Sequence, residues 1–331
     1  MRAALAQGDG VHGATSPNPP VGCAVLDADG QLVGLGGTQV AGGPHAEVVA
    51  LAAAGEKARG GTAVVTLEPC SHHGRTPPCT EALVAAGVAR VVYAVADPNP
   101  QAAGGASRLA GAGVEVRGGL LAEEAERGAL RAWLHWQRTG RPHVTWKYAA
   151  TLDGRVAAAD GTSRWISSPE SRAEVHRLRT RIDAIVVGRG TVLADDPALT
   201  ARDAEGRPLR RQPLRVVVGT GELPSGAKVL DGSAPTAHLR TRDPRAVLAD
   251  LAGRGVVDVL LEGGPTLAGA FACAGLIDRV LAYIAPSLLG EGAVALGASG
   301  VSTITGAHRM VVEQVTMSGP DVRVSAVAVR D

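Results

Sequence analysis

The sequence has few aromatic residues and almost no lysine. Its 331 residues include four Trp, three Tyr and one Phe, and only three of its 33 basic residues are Lys. Proteins that bind single-stranded nucleic acid stack the bases on aromatic side chains, and those that bind duplexes carry strong positive charge. With a net charge of +1, this chain offers neither feature, so we expect no nucleic-acid partner. Its hydrophobic cores must be filled mainly by Val, Leu and Ala.

The sequence also lacks long apolar runs and secretory features. No run approaches the roughly 20 residues that a membrane helix needs, and Met1 to Val11 does not have the pattern of a signal peptide. Four cysteines in such a chain indicate a reducing compartment, the cytoplasm, where paired cysteines more often bind metal than form disulfides. Cys23 and Cys273 lie in apolar runs and are expected to be buried thiols, whereas Cys70 and Cys79 have a different context.

The length favours two domains, and the first half alternates short apolar runs with helical stretches. This alternation predicts a layered α/β sandwich. Helical character continues from Ala122 to Arg138 and stops at Gly140-Arg141-Pro142, so we place the domain boundary there, with domains 1–138 and 139–331. The predicted strands are Val21 to Leu26, Thr62 to Leu67 and Arg90 to Val95, and the predicted helices are His45 to Ala58 and Cys79 to Ala86.

The second half begins a new α/β sheet. Ser168-Pro169-Glu170 predicts a helix start, with a side-chain cap and Pro at the first helical position, and the helix should run to about Arg181. The alternating tail from Met310 to Val329 predicts a closing hairpin. The predicted strands are His143 to Ala150, Ala184 to Val187, Leu214 to Val218, Val256 to Leu261 and Arg279 to Ile284.

Two short motifs carry the residue types of a zinc site. Pro44-His45-Ala46-Glu47 stands where a loop enters a helix, and Cys70 and Cys79 follow in the segment Glu68 to Cys79. One imidazole and two thiolates leave the fourth coordination position open, as in catalytic zinc sites, where the pKa of a water falls to roughly 7. Glu47, which is not a ligand, can carry protons. Cys79 should begin a helix whose N–H groups stabilise a thiolate.

This pattern is the signature of zinc-dependent deaminases, His-x-Glu followed by Pro-Cys-x-x-Cys, which act on pyrimidine or purine amines. Here eight residues, not two, separate the cysteines. Together with Ser16 to Gly22, the segment Glu68 to Cys79 closely resembles the deaminase domain of the bifunctional riboflavin-biosynthesis deaminase–reductases. Cytidine and tRNA adenosine deaminases usually keep the shorter spacing. The resemblance implies a cytidine-deaminase-like three-layer α/β/α sandwich.

Other readings of this region stay open. A structural zinc site with His72 or His73 as fourth ligand would have no use for Glu47 beside the metal. By the resemblance, the loop of His72, His73 and Arg75 lines the substrate pocket, although a solvated loop histidine is as plausible as a contact for either one. The resemblance also makes Asn18 a partner for the pyrimidine, and its alternative is a simple turn residue. Chains of this family usually begin their first helix several residues earlier.

The second domain contains no dinucleotide fingerprint of the Rossmann type. Gly219-Thr220-Gly221 follows a strand, but the glycine spacing is broken and no helix opens there; Gly188-Arg189-Gly190 fails similarly. The better candidate is Glu262 to Ala270, which follows a Val/Leu strand, brings two glycines and opens a helix with Pro. Such a strand-to-helix turn suits an anion, although a Gly-Pro turn between core elements explains the local sequence nearly as well.

Four blocks in order resemble the reductase domain of the same family: Lys147 to Arg155, Ser163 to Ser168, Gly190 to Pro197, and Glu262 to Ala270. The fold that the resemblance implies is similar to dihydrofolate reductase. By that resemblance the NADPH contacts are Ala149, Trp165, Thr191, Asp195, Thr220 and the turn Gly264, Pro265, Thr266, Leu267, Ala268, Gly269 and Ala270. The substrate contacts implied are Ser163, Arg179, Leu199, Arg202 and Glu262.

Three charged residues of this domain are candidates for functional roles, and two of them, Arg179 and Lys147, also have alternative interpretations. Arg179 and Arg202 suit a substrate phosphate, because phosphate recognition needs forked cationic donors, but Arg179 could equally be an exposed helix residue. Lys147 lies on an otherwise apolar strand. It is either a buried partner for Asp195 or a residue with a catalytic or orienting role.

The resemblance implies zinc-dependent deamination of diaminohydroxyphosphoribosylaminopyrimidine, followed by NADPH-dependent reduction of its ribosyl group to ribityl. We expect a small-molecule enzyme that forms a homo-oligomer. One alternative is a nucleoside or tRNA deaminase with a non-catalytic second domain. Another is a zinc-stabilised binding protein for phosphorylated metabolites. The near-neutral charge and the long cysteine spacing count against the first of these.

Overall fold

The structure, a computed structural model, describes residues 1–73, 77–203 and 205–329. It consists of two compact units, Met1–Arg141 and Pro142–Asp331. Each unit contains one β-sheet with helices. None of the helices in the described part of the chain is long and apolar enough to cross a membrane.

The first unit is built on a five-stranded sheet with strand order β2-β1-β3-β4-β5. β1 is antiparallel to both of its neighbours, whereas β3, β4 and β5 are parallel. Its strands are β1 (Gly22–Leu26), β2 (Leu32–Gly37), β3 (Thr62–Leu67), β4 (Arg90–Val95) and β5 (Glu115–Arg117). Its helices are α1 (Arg2–Val11), α2 (Ala46–Ala54), α3 (Cys79–Ala85), α4 (Gly105–Gly111), α5 (Ala122–Arg127) and α6 (Arg131–Thr139).

Glycines in β2 show why helices can cover both faces of this sheet. A Cβ at Gly36 would lie 2.4 Å from the main-chain oxygen of Ala46 in α2, and a Cβ at Gly37 would lie 2.8 Å from Val11 in α1. Because successive residues of a strand point to opposite faces, α1 and α2 pack on opposite sides. The sequence Leu-Gly-Gly therefore permits the close approach of a helix on each face.

The second unit has an eight-stranded sheet with strand order β12-β13-β11-β6-β10-β7-β8-β9. From β11 to β9 the strands are parallel, and the hairpin β12–β13 completes one edge in antiparallel fashion. Its strands are β6 (His143–Thr151), β7 (Ala184–Gly188), β8 (Leu214–Val218), β9 (Thr236–Leu239), β10 (Asp258–Leu261), β11 (Arg279–Ala285), β12 (Met310–Ser318) and β13 (Asp321–Ala328). Its helices are α7 (Pro169–Arg179), α8 (Arg189–Asp195), α9 (Pro244–Gly253) and α10 (Pro265–Cys273).

Several predicted elements are confirmed. The side chain of Ser168 accepts a hydrogen bond from the N–H of Ser171, at 3.2 Å, and caps α7, which begins at Pro169. The predicted closing hairpin is β12 and β13. The central strands β7, β8 and β10 are nearly continuous apolar runs with buried residues, as strands covered on both faces require.

Other predictions of local structure are wrong, and glycine explains two of them. The helix predicted from Ala122 to Arg138 is interrupted by Gly128 and forms α5 and α6 instead. The helix predicted to reach Ala58 ends at Ala54, because Gly55 has a φ of 56° and a short 3₁₀ turn follows. Cys23 is fully buried, as predicted, but Cys273 is exposed, since it is the last residue of α10.

Candidate active sites

The predicted zinc ligands meet at one end of the first unit's sheet. His45 is the N-cap of α2, Cys70 follows β3, and Cys79 is the first residue of α3, as predicted. Nδ1 of His45 lies 3.2 Å from Sγ of Cys79 and 3.6 Å from Sγ of Cys70. All three donor atoms lie within 4.8 Å of one another. Zinc bonds of about 2.0–2.3 Å in a tetrahedron require donor separations of roughly 3.5–4 Å, so the group fits Zn²⁺.

Local hydrogen bonds favour a thiolate in this group. The N–H of Cys79 donates to Sγ of Cys70 at 3.4 Å. The pKa of the Cys70 thiol is lowered to about 4, mainly because Cys79 and His45 donate hydrogen bonds to it. The pKa of Cys79 is raised, because its thiol donates to the Cys70 sulfur and because it is buried. One thiolate therefore forms readily at neutral pH, which prepares the group to bind a cation.

Glu47 is placed as a proton carrier should be. It lies in the first turn of α2, two residues after His45, and is only 4% exposed. Burial raises the pKa of its carboxyl group, since the charged form loses its hydration. The metal-binding group consists of His45, Cys70 and Cys79, and Glu47 is not one of its members.

A cavity of about 340 Å³ lies beside the triad, and His45 and Cys70 form part of its wall. It contains Glu47, Asn18 and His72, so three residues that the sequence singles out line the same space. Burial raises the pKa of Asp97, which also lines the cavity, to about 6. The polar and aromatic lining residues are Asn18, Thr38, His45, Glu47, Glu68, Cys70, His72, Asp97, Asn99, Trp133, Trp136 and Gln137.

The two loop histidines have different positions. His72 lines the cavity, whereas Nε2 of exposed His73 lies 3.7 Å from a carboxylate oxygen of Glu81. Arg75 lies outside the described residues. Within the described part of the chain, neither histidine joins the metal-binding group, so a four-ligand structural site with His72 or His73 finds no support.

In the interior of the second unit, the carboxylate of Glu262 pairs with two basic side chains. Nε and Nη2 of Arg179 donate to its two carboxylate oxygens at 2.9 and 3.0 Å, and Nζ of Lys147 lies 3.9 Å away. These charges hold the pKa of Glu262 at about 2 despite its burial. Two alternatives from the sequence are therefore wrong: the side chain of Arg179 is only 14% exposed, and the buried partner of Lys147 is Glu262, not Asp195.

Arg202 lies beside this group. Its Nε donates to Oγ1 of Thr200 at 2.9 Å and its Nη1 to the main-chain oxygen of Gly206 at 3.2 Å, while Nη1 of Arg179 donates to the oxygen of Thr200. Thr200 thus links the two arginines, and the described residues do not take up all the N–H donors of either one. The side chain of Leu199 is buried in a core cluster, so its main chain is the part that a substrate could contact. Ser163 is partly exposed.

The glycine turn before α10 has the build of an anion site. Gly264 is the N-cap of α10, with no side-chain cap, and Pro265 is the first helical residue, as predicted. Leu267 and Ala268 donate their N–H groups to the oxygen of Gly264, and Pro265 has no N–H, so Thr266 supplies the first-turn N–H that has no partner within the helix. This end of the helix also carries positive potential. A Cβ at Gly264 would meet only Oγ1 of Thr191, at 3.9 Å, so the main chain is open to a ligand. These features fit a phosphate group of NADPH.

The other residues of the expected cofactor site are divided by burial. Ala268 is fully buried in the main core and Gly269 packs on the main chain of Ala298, whereas Thr266 is exposed and Leu267 and Ala270 are half-buried. Trp165 is 69% exposed, with the guanidinium group of Arg172 4.5 Å from its ring centre. Ala149 packs beside Tyr283, and Thr191 and Asp195 lie in α8. Thr220 is exposed directly after β8.

One detail of the sequence interpretation needs correction. Gly188-Arg189-Gly190 does open a helix, since Gly188 is the N-cap of α8. The glycine spacing nevertheless differs from the dinucleotide fingerprint, so the conclusion that this domain is not of the Rossmann type stands.

Comparisons with known proteins agree with this geometry. The family model "Cytidine and deoxycytidylate deaminase zinc-binding region" matches residues 1–95, and "RibD C-terminal domain" matches residues 142–324. "Riboflavin biosynthesis protein RibD" of Mycobacterium tuberculosis is 58% identical over 318 residues, which cover 96% of this chain and 93% of the relative. The chain belongs to the RibD family. The RibD of Escherichia coli is 44% identical, with 93% of each chain covered.

Solved RibD structures have the same fold. The structure of Acinetobacter baumannii RibD is 38% identical in sequence and superposes with a TM-score of 0.89. The alignment covers 100% of this chain and 98% of that one. A deaminase/reductase from Thermotoga maritima is 33% identical and gives a TM-score of 0.91. Its alignment covers 99% of this chain and 97% of the T. maritima chain. The predicted fold class is confirmed: a cytidine-deaminase-like α/β/α domain is followed by a dihydrofolate-reductase-like domain.

As a RibD, this chain is a bifunctional deaminase and reductase of riboflavin biosynthesis, and its cofactors are Zn²⁺ and NADPH. The alternatives of a nucleoside or tRNA deaminase and of a non-catalytic binding protein are not favoured, because the relatives match both domains over nearly the whole chain.

Sequence reasoning missed the cavity residues Asp97, Trp133 and Trp136. They lie outside the zinc motifs, and only the folded chain brings them to the cavity.

Proposed function

We propose that this RibD deaminates diaminohydroxyphosphoribosylaminopyrimidine to 5-amino-6-(5-phosphoribosylamino)uracil and then reduces the ribosyl group to ribityl. The name of the T. maritima relative contains both activities. The observation that carries the proposal is the buried carboxyl group of Glu47 beside the triad of His45, Cys70 and Cys79, at a cavity that Glu47, His45 and Cys70 line. We assign the deaminase to residues 1–138 and the reductase to residues 139–331.

In the deaminase step, bound Zn²⁺ would supply a Lewis acid held by His45, Cys70 and Cys79. Glu47 accepts one proton of the attacking water and delivers it to the ring nitrogen. It then takes the second proton, from the hydroxyl group that the attack adds to the ring carbon, and gives it to the amine, so that the C–N bond breaks, ammonia leaves and a carbonyl remains. Asn18 and His72 face the same cavity and hold the pyrimidine. The buried position of Glu47 keeps bulk water from competing for these protons.

In the reductase step, bound NADPH would supply the hydrogen and the electron pair that reduce the ring-opened sugar carbon. Arg179 and Arg202 hold the substrate phosphate, Ser163, Leu199 and Glu262 contact the substrate, and Lys147 has a catalytic or orienting role. The pKa of Lys147 is lowered, mainly because its ammonium group is buried, although the carboxylate of Glu262 partly opposes this effect. We place NADPH along Ala149, Trp165, Thr191, Asp195, Thr220 and the turn that begins at Gly264.

Product analysis by mass spectrometry tests the proposed reaction sequence. Incubation with the diaminopyrimidine substrate alone should exchange one amine for oxygen, and later addition of NADPH should add two hydrogens. If NADPH reduces the substrate before the amine is lost, the proposed order is wrong.

The role of Arg202 gives a prediction that separates phosphate binding from folding. Arg202→Ala should raise the Michaelis constant for the phosphorylated intermediate roughly ten- to a hundredfold, since a hydrogen bond to a charged group contributes about 1.5–3 kcal/mol. The effect should shrink for an intermediate that lacks the phosphate. Arg207→Ala is the matched control, because Arg207 is in the same loop but pairs with Asp203 on the surface. An equal loss with both intermediates would show that Arg202 does not bind the phosphate.

The corresponding change at Arg179 should also affect folding. Arg179→Ala removes the bidentate partner of buried Glu262, and breaking such a pair costs about 3 kcal/mol or more. For this reason we expect a lower melting temperature of the second unit for Arg179→Ala but not for Arg202→Ala.

The turn at Gly264 gives a prediction for the cofactor. Gly264→Asp should raise the Michaelis constant for NADPH roughly tenfold or more, because a carboxylate at the start of α10 repels a phosphate. A side chain fits there without a clash, so zinc content and deaminase rate should stay normal. Gly264→Asn, which has the same size and no charge, is the control. Unchanged NADPH kinetics in folded Gly264→Asp would show that the cofactor binds elsewhere.

We also propose a cytoplasmic homo-oligomer that does not act on nucleic acid. A reducing compartment suits the thiol ligands, and the net charge of +1 offers no attraction for a polyanion.

The surface proposed for association is β12, an edge strand. Four of its apolar side chains are each more than half exposed: Val311, Val312, Val315 and Met317. The register with β13 places Val312, Val315 and Met317 on one face of the sheet and Val311 on the other. A second copy could cover the face with the three apolar side chains. Light scattering should give a multiple of 33.5 kDa, and Val315→Lys should shift it toward the monomer.

A further inference from the structure

The chain directly after α8 carries two of the proposed substrate contacts, Leu199 and Arg202, and has a constrained backbone. We call residues 196–202 the substrate loop. Asp196 and Leu199 have φ angles of 40° and 52°, in the left-handed region that residues other than glycine rarely adopt. Such conformations cost free energy and persist only where the surrounding structure fixes them. Contacts from outside the loop must therefore hold it in this shape.

A buried arginine of β8 supplies one of these contacts. Arg215, the second residue of β8, is 0% exposed. Its Nη1 donates to the main-chain oxygen of Ala198 at 3.2 Å. The side chain of the next residue, Leu199, is buried in the core cluster that contains Val217 and Val229. A hydrogen bond to the main chain and an apolar anchor thus fix the loop at two consecutive residues.

The guanidinium group of Arg215 is itself held in one orientation. Nε donates to Oγ1 of Thr236 at 2.9 Å and Nη2 to the main-chain oxygen of Ala234 at 2.6 Å. Nη1 also donates to the oxygen of Lys228 at 3.1 Å and to the carboxylate of Asp231 at 2.9 Å, which balances the charge. A planar fork with five donors can reach oxygens on several sides, whereas the compact ammonium group of a lysine cannot. Arg215 therefore joins the substrate loop to the segment that leads into β9.

The substrate loop also contacts the two arginines proposed to bind the phosphate. Nη1 of Arg179 donates to the main-chain oxygen of Thr200 at 3.2 Å, and Nε of Arg202 donates to Oγ1 of the same residue at 2.9 Å. Thr200 is 1% exposed and lies two residues after Ala198. A displacement at Ala198 therefore moves Thr200. Because Thr200 links the two arginines, their relative position changes with it, and forked recognition of a phosphate depends on that position.

We propose that Arg215 is a positioning residue of the reductase. It fixes the substrate loop through the oxygen of Ala198 and so sets the geometry in which Arg202 binds the substrate phosphate. Arg215 does not touch the substrate itself, because its side chain is fully buried and donates to oxygens of the protein. The inference rests on the substrate site proposed at Arg179 and Arg202.

Steady-state kinetics of Arg215→Lys test this role. Lysine keeps a positive charge beside Asp231 but cannot hold the surrounding oxygens and Ala198 together. The Michaelis constant for the phosphorylated intermediate should rise roughly tenfold, because the charge-assisted contact of Arg202 is misplaced. The rise should shrink for an intermediate that lacks the phosphate, and the Michaelis constant for NADPH should change little.

A double variant distinguishes positioning from a purely structural role. If Arg215 acts through the loop that carries Arg202, the variant Arg215→Lys/Arg202→Ala should have the same Michaelis constant for the phosphorylated intermediate as Arg202→Ala alone. A residue that only stabilises the fold would not show this coupling.

Two further variants control for stability. Leu251 is fully buried in α9 and belongs to a core cluster that does not include the substrate loop. Leu251→Ala should lower the melting temperature, because it leaves a cavity, without raising the Michaelis constant. Thr236→Val removes the acceptor of Nε of Arg215 and is a milder change than Arg215→Lys. It should raise the same constant by a smaller factor, and it tests the inference even if Arg215→Lys does not fold.

An unchanged Michaelis constant for the phosphorylated intermediate in Thr236→Val, and in Arg215→Lys where that variant folds, would overturn the inference. An equal rise with and without the phosphate, or the same rise in Leu251→Ala, would also overturn it. Failure of the proposed substrate site is distinguishable, because Arg202→Ala would then have no phosphate-dependent effect. A phosphate-dependent loss in Arg202→Ala together with normal kinetics of folded Arg215→Lys refutes only the positioning role.

Discussion

Glu47→Gln should lower the rate of deamination by roughly a hundredfold or more, the usual contribution of a positioned acid–base group. The amide cannot accept the proton of the attacking water, while His45, Cys70 and Cys79 remain in place to bind zinc. Metal analysis should therefore give the same zinc content as in the wild type. Reduction of the already deaminated intermediate should continue near its normal rate, because the change lies outside the second unit.

The control for this variant is Glu56→Gln. Glu56 follows α2 in the chain and is 95% exposed, so the same chemical change there should leave deamination unaltered. Two results would contradict the role given to Glu47. Loss of zinc from Glu47→Gln would make Glu47 a ligand, and normal deamination with zinc retained would mean that another group carries the protons.

Cys70→Ser and Cys79→Ser should each lose the zinc and, with it, deamination. A hydroxyl group is a far poorer ligand for zinc than a thiolate, and with one sulfur removed the site retains only two strong donors. Zinc per chain, measured by plasma mass spectrometry after dialysis, should fall from one to near zero. Ammonia release should fall to background.

Cys273→Ser provides the comparison for both variants. Cys273 is exposed at the end of α10, in the second unit, and its replacement should change neither zinc content nor deamination. Full zinc occupancy in both Cys70→Ser and Cys79→Ser would show that these thiols do not bind the metal, whatever the effect on activity.

The zinc site could be predicted from the sequence because its requirements are local. His45 and Glu47 lie in one turn, and Cys70 and Cys79 each stand at the boundary of a helix or strand. The wall of the cavity could not be predicted in the same way. Trp136 comes from α6, more than fifty residues after the cysteines, and only the packing of the unit brings it to the cavity.

The charge network of the reductase shows the same limit. The sequence indicated Lys147, Arg179 and Glu262 separately, through a resemblance, and offered Asp195 as one possible buried partner of Lys147. The parallel register of β6 and β10 places Lys147 and Glu262 near each other, and strand register is a property of the whole sheet. The helix ends at Gly55 and Gly128 are a different case, because glycine is a local signal that the sequence contains. They were not predicted, because the residues on either side of each glycine favour a helix.

One chain is expected to remove an amine with zinc and then to reduce the sugar with NADPH. The most direct measurement is a single reaction with the purified zinc-containing protein and diaminohydroxyphosphoribosylaminopyrimidine, in which ammonia and NADPH are followed together. We expect one ammonia released and one NADPH oxidised per substrate, with NADPH oxidation abolished in Glu47→Gln until the deaminated intermediate is added. NADPH oxidation without ammonia release, or no ammonia from fully zinc-loaded protein, would contradict the account.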